Sequence, residues 1–213
     1  HRPFRRQRQM CIRDSQKGMQ FLEYSSKGKG LLLSSLSGEK NSKVTVIGCG
    51  EVGRSSIHKS IQIGASVTAI DINEDILNEL KNQYGENITT LVSGSESATN
   101  AIRSADLVVG AVLLPGRKPP IVITEEDISS MEKGSVIVDV AIDQGGCVEG
   151  VKPNTHSEPF EIRNGVIVSA IANLPGAVPR TSSIELSTNL QKYVDYLLVE
   201  NWFDEYKNNE SLR

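Results

Sequence analysis

Three glycines spaced as Gly48, Gly50 and Gly53, followed by an aspartate at position 71, make the strongest chemical signal in this chain. A G-x-G-x-x-G run can cradle a dinucleotide pyrophosphate. The first glycine permits a tight turn, the second lets backbone approach the phosphates, the third lets a helix pack closely on a strand, and phosphate charge meets the helix N-terminus. The pattern alone is weak, because a glycine-rich turn with no ligand can match it. Its context here is specific: Lys43 to Ile47 reads as a strand, a helical pattern opens at the glycines and runs to Ile63, and Gly64 closes it. Asp71 ends the next strand, about 20 residues past the glycines, where an acid accepts hydrogen bonds from adenine-ribose hydroxyls. Glu74 and Asp75 follow it and no Arg intervenes before Arg103, so a 2′-phosphate would meet negative charge. The expected cofactor is NAD rather than NADP.

The elements that must position these residues repeat along the chain. Apolar, β-branched runs recur at 44–47, 66–70, 88–92, 106–114, 135–141 and 165–171, several of them apolar on both faces, as strands buried in a parallel sheet are. Amphipathic stretches lie between them at 55–63, 74–84, 96–104 and 124–131, the last opened by Thr124 with Asp127 three residues on, close to a capping box. Alternating strands and helices predict an α/β fold, a Rossmann-type doubly wound parallel sheet.

Bulk properties restrict the partners. At 213 residues, with 38% hydrophobic and 23% charged residues, the chain has the composition of a soluble globular protein. A formal net charge of −3 gives no reason to expect nucleic acid or a membrane surface. No apolar run approaches the roughly 20 residues of a bilayer span. Cys11, Cys49 and Cys147 are odd in number and isolated, which fits a reducing cytoplasm and no metal site. The opening residues 1–15, basic and without helical or strand period, are set aside as non-native or disordered.

Three segments, ADLVVGAVLLPG (105–116), VDVAIDQGGC (138–147) and IANLPGAVPRT (171–181), resemble the NAD-binding domain of alanine dehydrogenases. The resemblance runs from about residue 17 to about residue 198, and AIDQGGC and ANLPGAVP are its distinctive parts. Independently of it, all three segments leave the C-terminal ends of expected strands, where open α/β sheets bind ligands. The resemblance implies that Glu51 and Val52 lie along the pyrophosphate, that Asp71 holds the adenine ribose and that Ser93 sits beside the adenine. It places Val112 and Leu113 at the cofactor's flank, Val140, Ala141, Ile142 and Asp143 nearer the nicotinamide, and Ile171, Ala172, Asn173 and Leu174 as the completion of the pocket. Glu51 departs from the small or neutral residue usual at its position; a carboxylate facing phosphate is unfavourable, so its side chain is expected to turn outward. Ile76 falls where the family often has Lys or Arg.

The same resemblance assigns an activity, the reversible oxidative deamination of L-alanine to pyruvate and ammonia, with Asp143 as the catalytic residue that manages protons. The plainer reading of Asp143 is an aspartate that caps a turn. His58 and His156 read as surface and loop histidines, and Cys49 and Cys147 have no neighbouring base in sequence to make a thiolate. In the family a separate N-terminal domain supplies the catalytic histidine and the substrate-carboxylate grip. Residues 16–180 are therefore expected to form the nucleotide-binding domain with an N-terminal linker helix, and 181–213 a helix that belongs with the second domain. Gln16 to Ser37 would be the linker helix and the KGKGLLL strand, and the full-length protein a homo-oligomer. The spacing of Ile184, Leu186, Leu190, Tyr193 and Leu197 marks a core-facing helix. Two alternatives stay open: the NAD-binding domain of a proton-translocating transhydrogenase, and a non-catalytic NAD-sensing module in which Asp143 is dispensable.

Overall fold

The strands form where β-branched residues run together. In the computed structural model, which describes residues 16–33, 42–114 and 116–197, β1 (Lys43–Ile47), β4 (Leu107–Gly110), β5 (Val136–Asp139) and β7 (Val166–Ser169) are buried along nearly their whole length. They are the centre of a seven-stranded sheet, with β2 (Ser66–Asp71) and β3 (Ile88–Val92) to one side and β6 (Glu161–Arg163) at the far edge, in the order β3-β2-β1-β4-β5-β7-β6. Every neighbouring pair is parallel except β6 with β7. α1 occupies residues 16–21, and α2 (Glu51–Gln62), α3 (Glu74–Tyr84), α4 (Glu96–Arg103), α5 (Glu125–Ser130) and α6 (Pro179–Leu197) complete the chain.

The strand period of two sorts the core onto two faces. Val44, Val46, Leu107, Val109, Val136 and Val138 pack with Ile57 of α2 and Leu77 and Leu80 of α3. Ile47, Val108, Ile137, Val166 and Val168 pack with Ala98 and Ile102 of α4 and Ile128 of α5. Both faces of the sheet are thus covered, as the doubly wound expectation requires. Ile137 is fully buried at the centre, and Ile137→Ala should lower unfolding stability by about 2–5 kcal/mol, measured by chemical denaturation. The strand order reverses between β1 and β4, and the crevice at such a reversal is where doubly wound sheets hold ligands.

The ends of several elements differ from expectation. The strands end before their apolar runs do: the run 106–114 ends as strand at Gly110, 135–141 at Asp139 and 165–171 at Ser169, with the Ala111 and Val140 N–H groups making one more bond to the neighbouring strand. β6 was not expected; Arg163-Asn164-Gly165-Val166 closes a hairpin in which Asn164 (φ 51°) and Gly165 (φ 86°) both take positive φ, the geometry of an Asn-Gly hairpin turn. Lys27 to Leu33 forms no strand, and residues 34–37 lie outside the described residues. So do 1–15 and 198–213. Ile184, Leu186 and Leu190 are 59, 39 and 47% exposed, so α6 does not face the core of this chain; the side chains of Tyr193 and Leu197 are outside the description. No helix among the described residues is long and apolar enough to cross a membrane.

α5 opens with a capping box: the Thr124 hydroxyl accepts from the Asp127 N–H at 3.2 Å, and the Asp127 carboxylate accepts from the Thr124 N–H at 3.1 Å. Arg103 of α4 donates to Asp127 at 3.0 Å and to Glu126 at 2.9 Å, tying the two helices together. Burial pushes the Asp127 carboxyl up, but the Thr124 donors and Arg103 outweigh it and hold the group below its ordinary value. A depressed folded pKa contributes stability that is complete above the unfolded value, about 3.9, and is lost as pH falls through the folded value. Asp127→Asn should therefore destabilise the chain at neutral pH, and thermal melts should show the gap from wild type closing as pH drops below about 4.

Candidate functional site

The glycine turn follows β1 directly, and each glycine has a separate structural reason. Gly48 has φ +89°, and a Cβ there would stand 2.6 Å from the Ala111 carbonyl oxygen. The turn thus lies in backbone contact with the segment that leaves β4. A Cβ on Gly53 would stand 1.8 Å from the Gly48 carbonyl oxygen, so α2 can start this close to the turn only with glycine there. Gly50 differs: a Cβ there would meet nothing within 4 Å. Gly48 and Gly53 are required by the protein's own packing, whereas Gly50, the N-cap of α2, leaves open space at a helix N-terminus. That open approach fits a pyrophosphate laid against the turn.

Asp71, the last residue of β2, is bound to the turn. One carboxylate oxygen accepts the Cys49 N–H at 2.6 Å and the other accepts the Asn73 N–H at 2.9 Å. Each oxygen keeps acceptor capacity beyond its backbone partner, which a ribose hydroxyl could use. Ser93 follows β3, and its N–H donates to the Asp71 carbonyl at 2.9 Å, so the two expected adenosine-side residues sit together. Val52 is buried in the first turn of α2. Glu51 lines a surface recess with Arg54, Ser55, His58, Lys59, Gln83 and Tyr84, all residues of α2 and α3. Val112 and Leu113, past β4, are half-buried, packed against opposite faces of the sheet. Ile76 is half-buried in the first turn of α3 and packs on the core.

The nicotinamide-side expectation falls on the segment past β5. The Val140 N–H donates to the Gly110 carbonyl at 2.9 Å, and a 3-10 turn at Ile142–Gln144 carries Asp143, which is exposed beside the buried Ala141 and Ile142. Past β7, Ile171 and Leu174 are buried, Ala172 is half-buried, and Asn173 is exposed in the left-handed conformation (φ 54°). The parallel strands β1, β2, β3, β4, β5 and β7 thereby bring every expected site residue to the C-terminal edge of one sheet.

Two residues at that edge carried no signal strong enough to single them out. Asp139 closes β5 and is fully buried. Its carboxylate accepts backbone N–H groups from Ala141 (2.9 Å), Cys147 (2.8 Å) and Val148 (3.0 Å). Burial nevertheless pushes its carboxyl above the ordinary value. In sequence it is one more acid after an apolar run. His156, read as a loop histidine, brings its Nε2 to 3.4 Å from the Asn173 carbonyl oxygen, a contact between segments that the sequence does not pair. Both described cysteines are inert for a plain reason: burial, then the Asp71 charge, pushes the Cys49 thiol up to about 12, and burial with Asp139 pushes Cys147 well above its usual value.

A profile of the family described as "Alanine dehydrogenase/PNT, C-terminal domain" matches residues 15–213. The chain belongs to this family. It is 48% identical over 174 residues to the alanine dehydrogenase of Bacillus subtilis (strain 168), a match that covers 81% of this chain and 46% of that protein. A solved L-alanine dehydrogenase superimposes with a TM-score of 0.90 at 36% identity, covering 99% of this chain and 58% of the other. The transhydrogenase from Sinorhizobium meliloti superimposes at 0.73 with 20% identity, which shows a shared fold. The chain spans about half the length of the curated relatives it matches. It corresponds to the nicotinamide-cofactor part of alanine dehydrogenases.

Proposed function

We propose that this chain is the NAD-binding half of an enzyme that interconverts L-alanine and pyruvate plus ammonia. The observation that carries the reading is the glycine turn, in which Gly50 alone faces open space at a helix N-terminus beside the Asp71 carboxylate. Gly48 to Gly53 would hold the pyrophosphate, with the backbone N–H of Glu51 contributing and its side chain turned along α2. Asp71 and Ser93 would hold the adenosine end, with Val112 and Leu113 at the flank. Val140 to Asp143 and Ile171 to Leu174 would enclose the nicotinamide. The acids Asp71, Glu74 and Asp75 disfavour a 2′-phosphate and so support NAD over NADP.

When bound, NAD supplies the hydride acceptor for the alanine Cα. The chain's own residues do the rest of what this half contributes. The apolar groups Ile142, Ile171 and Leu174 exclude water from the reacting face. Asp143 stands exposed on the turn past β5, where its carboxylate would accept the protons that leave the substrate nitrogen and the added water. The substrate-carboxylate grip would come from the part of the enzyme that the relatives have and this chain does not span. The exposed Ile184, Leu186, Leu190 and Val194 of α6 support assembly with that part in a cytoplasmic homo-oligomer.

The test is an alanine-dependent NAD reduction assay on the full-length enzyme that carries this chain, wild type beside Asp143→Asn. A fall in kcat of roughly 10²–10⁴-fold with NADH affinity retained is expected, the range for a lost proton-transfer group. An unchanged kcat would remove Asp143 from the chemistry, and a full-length wild type that binds NADH without any alanine-dependent NAD reduction would favour a sensing module.

A further inference from the structure

We propose that Asp139 is the positioning residue for the nicotinamide end of the site, its buried carboxylate fixing the backbone of the turn that carries Val140, Ala141, Ile142 and Asp143. The inference rests on the reading of that turn as the nicotinamide side. One oxygen of Asp139 accepts the Ala141 N–H, at the start of the turn, and the other accepts the Cys147 and Val148 N–H groups, at its end. The carboxylate therefore closes the loop across its own neck.

The rest of the loop leaves it little freedom to close in another way. Gly145 (φ 106°) and Gly146 (φ 76°) both lie in the left-handed region, and a Cβ on Gly146 would stand 2.9 Å from the Asp139 carboxylate and 2.4 Å from Val151. The Gly145 and Gly146 N–H groups donate back to Ile142 and Ala141. On its far side the loop is sewn to the segment past β4, because Val122 and Ile123 both donate to the Cys147 carbonyl. Cys147 in turn seats on β4: a Cβ on Gly110 would stand 2.6 Å from its sulfur. Among the described residues, Asp139 is thus the one side chain whose oxygens accept the N–H groups both where Ala141 begins the turn and where Cys147 ends it.

Three backbone N–H groups and the Cys147 thiol converge on two oxygens, and this dictates the informative substitution. In Asp139→Asn one oxygen becomes an NH2 group, so at least one of the three backbone N–H groups faces a donor instead of an acceptor. The side-chain volume is kept, and the glycine turn, Asp71 and Ser93 are untouched.

The experiment is calorimetric titration of the 213-residue chain, wild type and Asp139→Asn, with NADH and with ADP-ribose, which lacks the nicotinamide. The wild type should bind NADH more tightly than ADP-ribose. The variant should lose about tenfold in NADH affinity while ADP-ribose affinity holds, so that the ratio of the two falls towards one. Equal weakening of both ligands, or of neither, would overturn the positioning role and leave Asp139 a plain structural acid. A wild type that binds both ligands equally would overturn it together with the nicotinamide-side reading, whereas the first failure leaves that reading intact. Should the variant not fold, amide hydrogen exchange on the wild type decides. The Ala141, Cys147 and Val148 N–H groups must be protected before any cofactor is added, and exchange at unfolded rates without cofactor would overturn the proposal.

Discussion

Gly53→Ala is expected to damage the fold and the cofactor site together, whereas Gly50→Ala should damage only the site. At Gly53 the added methyl would overlap the Gly48 carbonyl oxygen at 1.8 Å, with the Gly48 carbonyl carbon at 2.9 Å, and both neighbours are backbone atoms. Relief requires the first turn of α2 to move off the glycine turn, which also disturbs the Val52 packing and the Gly48 contact with Ala111. Overpacking against backbone of this kind costs about 3 kcal/mol. For a chain of this size that is a fall in Tm of roughly 6–12 °C. At Gly50 the methyl enters open space at an extended backbone (φ −66°, ψ −168°) that alanine adopts without strain. The Gly50→Ala chain should melt with the wild type and yet bind NADH at least about tenfold more weakly, because the methyl occupies the approach of the phosphates. Differential scanning calorimetry and titration of the two variants read both halves of this expectation. A Gly50→Ala chain that binds NADH normally would make the turn structural throughout.

Asp71→Ala should give the other large effect, on affinity and on cofactor choice. The variant removes the acceptor for the Cys49 and Asn73 N–H groups. Asp71 is half-buried, so water can replace part of this, and the fold should survive. On the proposed reading the variant would also lose charged hydrogen bonds to the ribose, on the order of 1–3 kcal/mol of NADH affinity. NADPH, whose 2′-phosphate would be repelled by the wild-type carboxylate on the proposed reading, should lose nothing or gain. The ratio of NADH to NADPH affinity should therefore collapse in the variant, measured by titration with each. A preserved ratio would mean that Asp71 serves the turn alone.

The glycine turn and Asp71 also mark how much of the molecule was legible in advance. Gly48, Gly50, Gly53 and Asp71 stand out in sequence because their requirements are local: a positive φ, a close backbone approach, an acid at a strand end. The parallel sheet was legible for a related reason, since β1, β4, β5 and β7 are buried on both faces and can be built only from apolar, β-branched runs. Strand ends were not legible. Apolarity continues through Ala111 and Val140 and past Ser169, beyond the last strand residues, and burial alone does not mark where a strand ends.

The misses have distinct causes. β6 escaped notice because it is short and only partly buried, although the Asn164-Gly165 pair that closes its hairpin was a usable signal. The KGKGLLL strand was implied by the resemblance alone; among the described residues no strand pairs with it, and the Gly30 and Leu31 N–H groups return to the Leu22 carbonyl instead. Asp139 was invisible because its role depends on three backbone donors, two of them eight and nine residues downstream, which no spacing rule reports. α6 read as core-facing because periodicity identifies an apolar face and says nothing of what covers it.

The most direct test of the central claim, that the turn after β1 is a cradle for NAD, is a titration of the 213-residue chain with NADH and, separately, NADPH, with the Gly50→Ala chain as the folded control. Saturable binding of NADH, weaker binding of NADPH and loss of both in the control are expected. A folded wild-type chain that binds neither dinucleotide, or binds them equally with and without the Gly50 methyl, would contradict it.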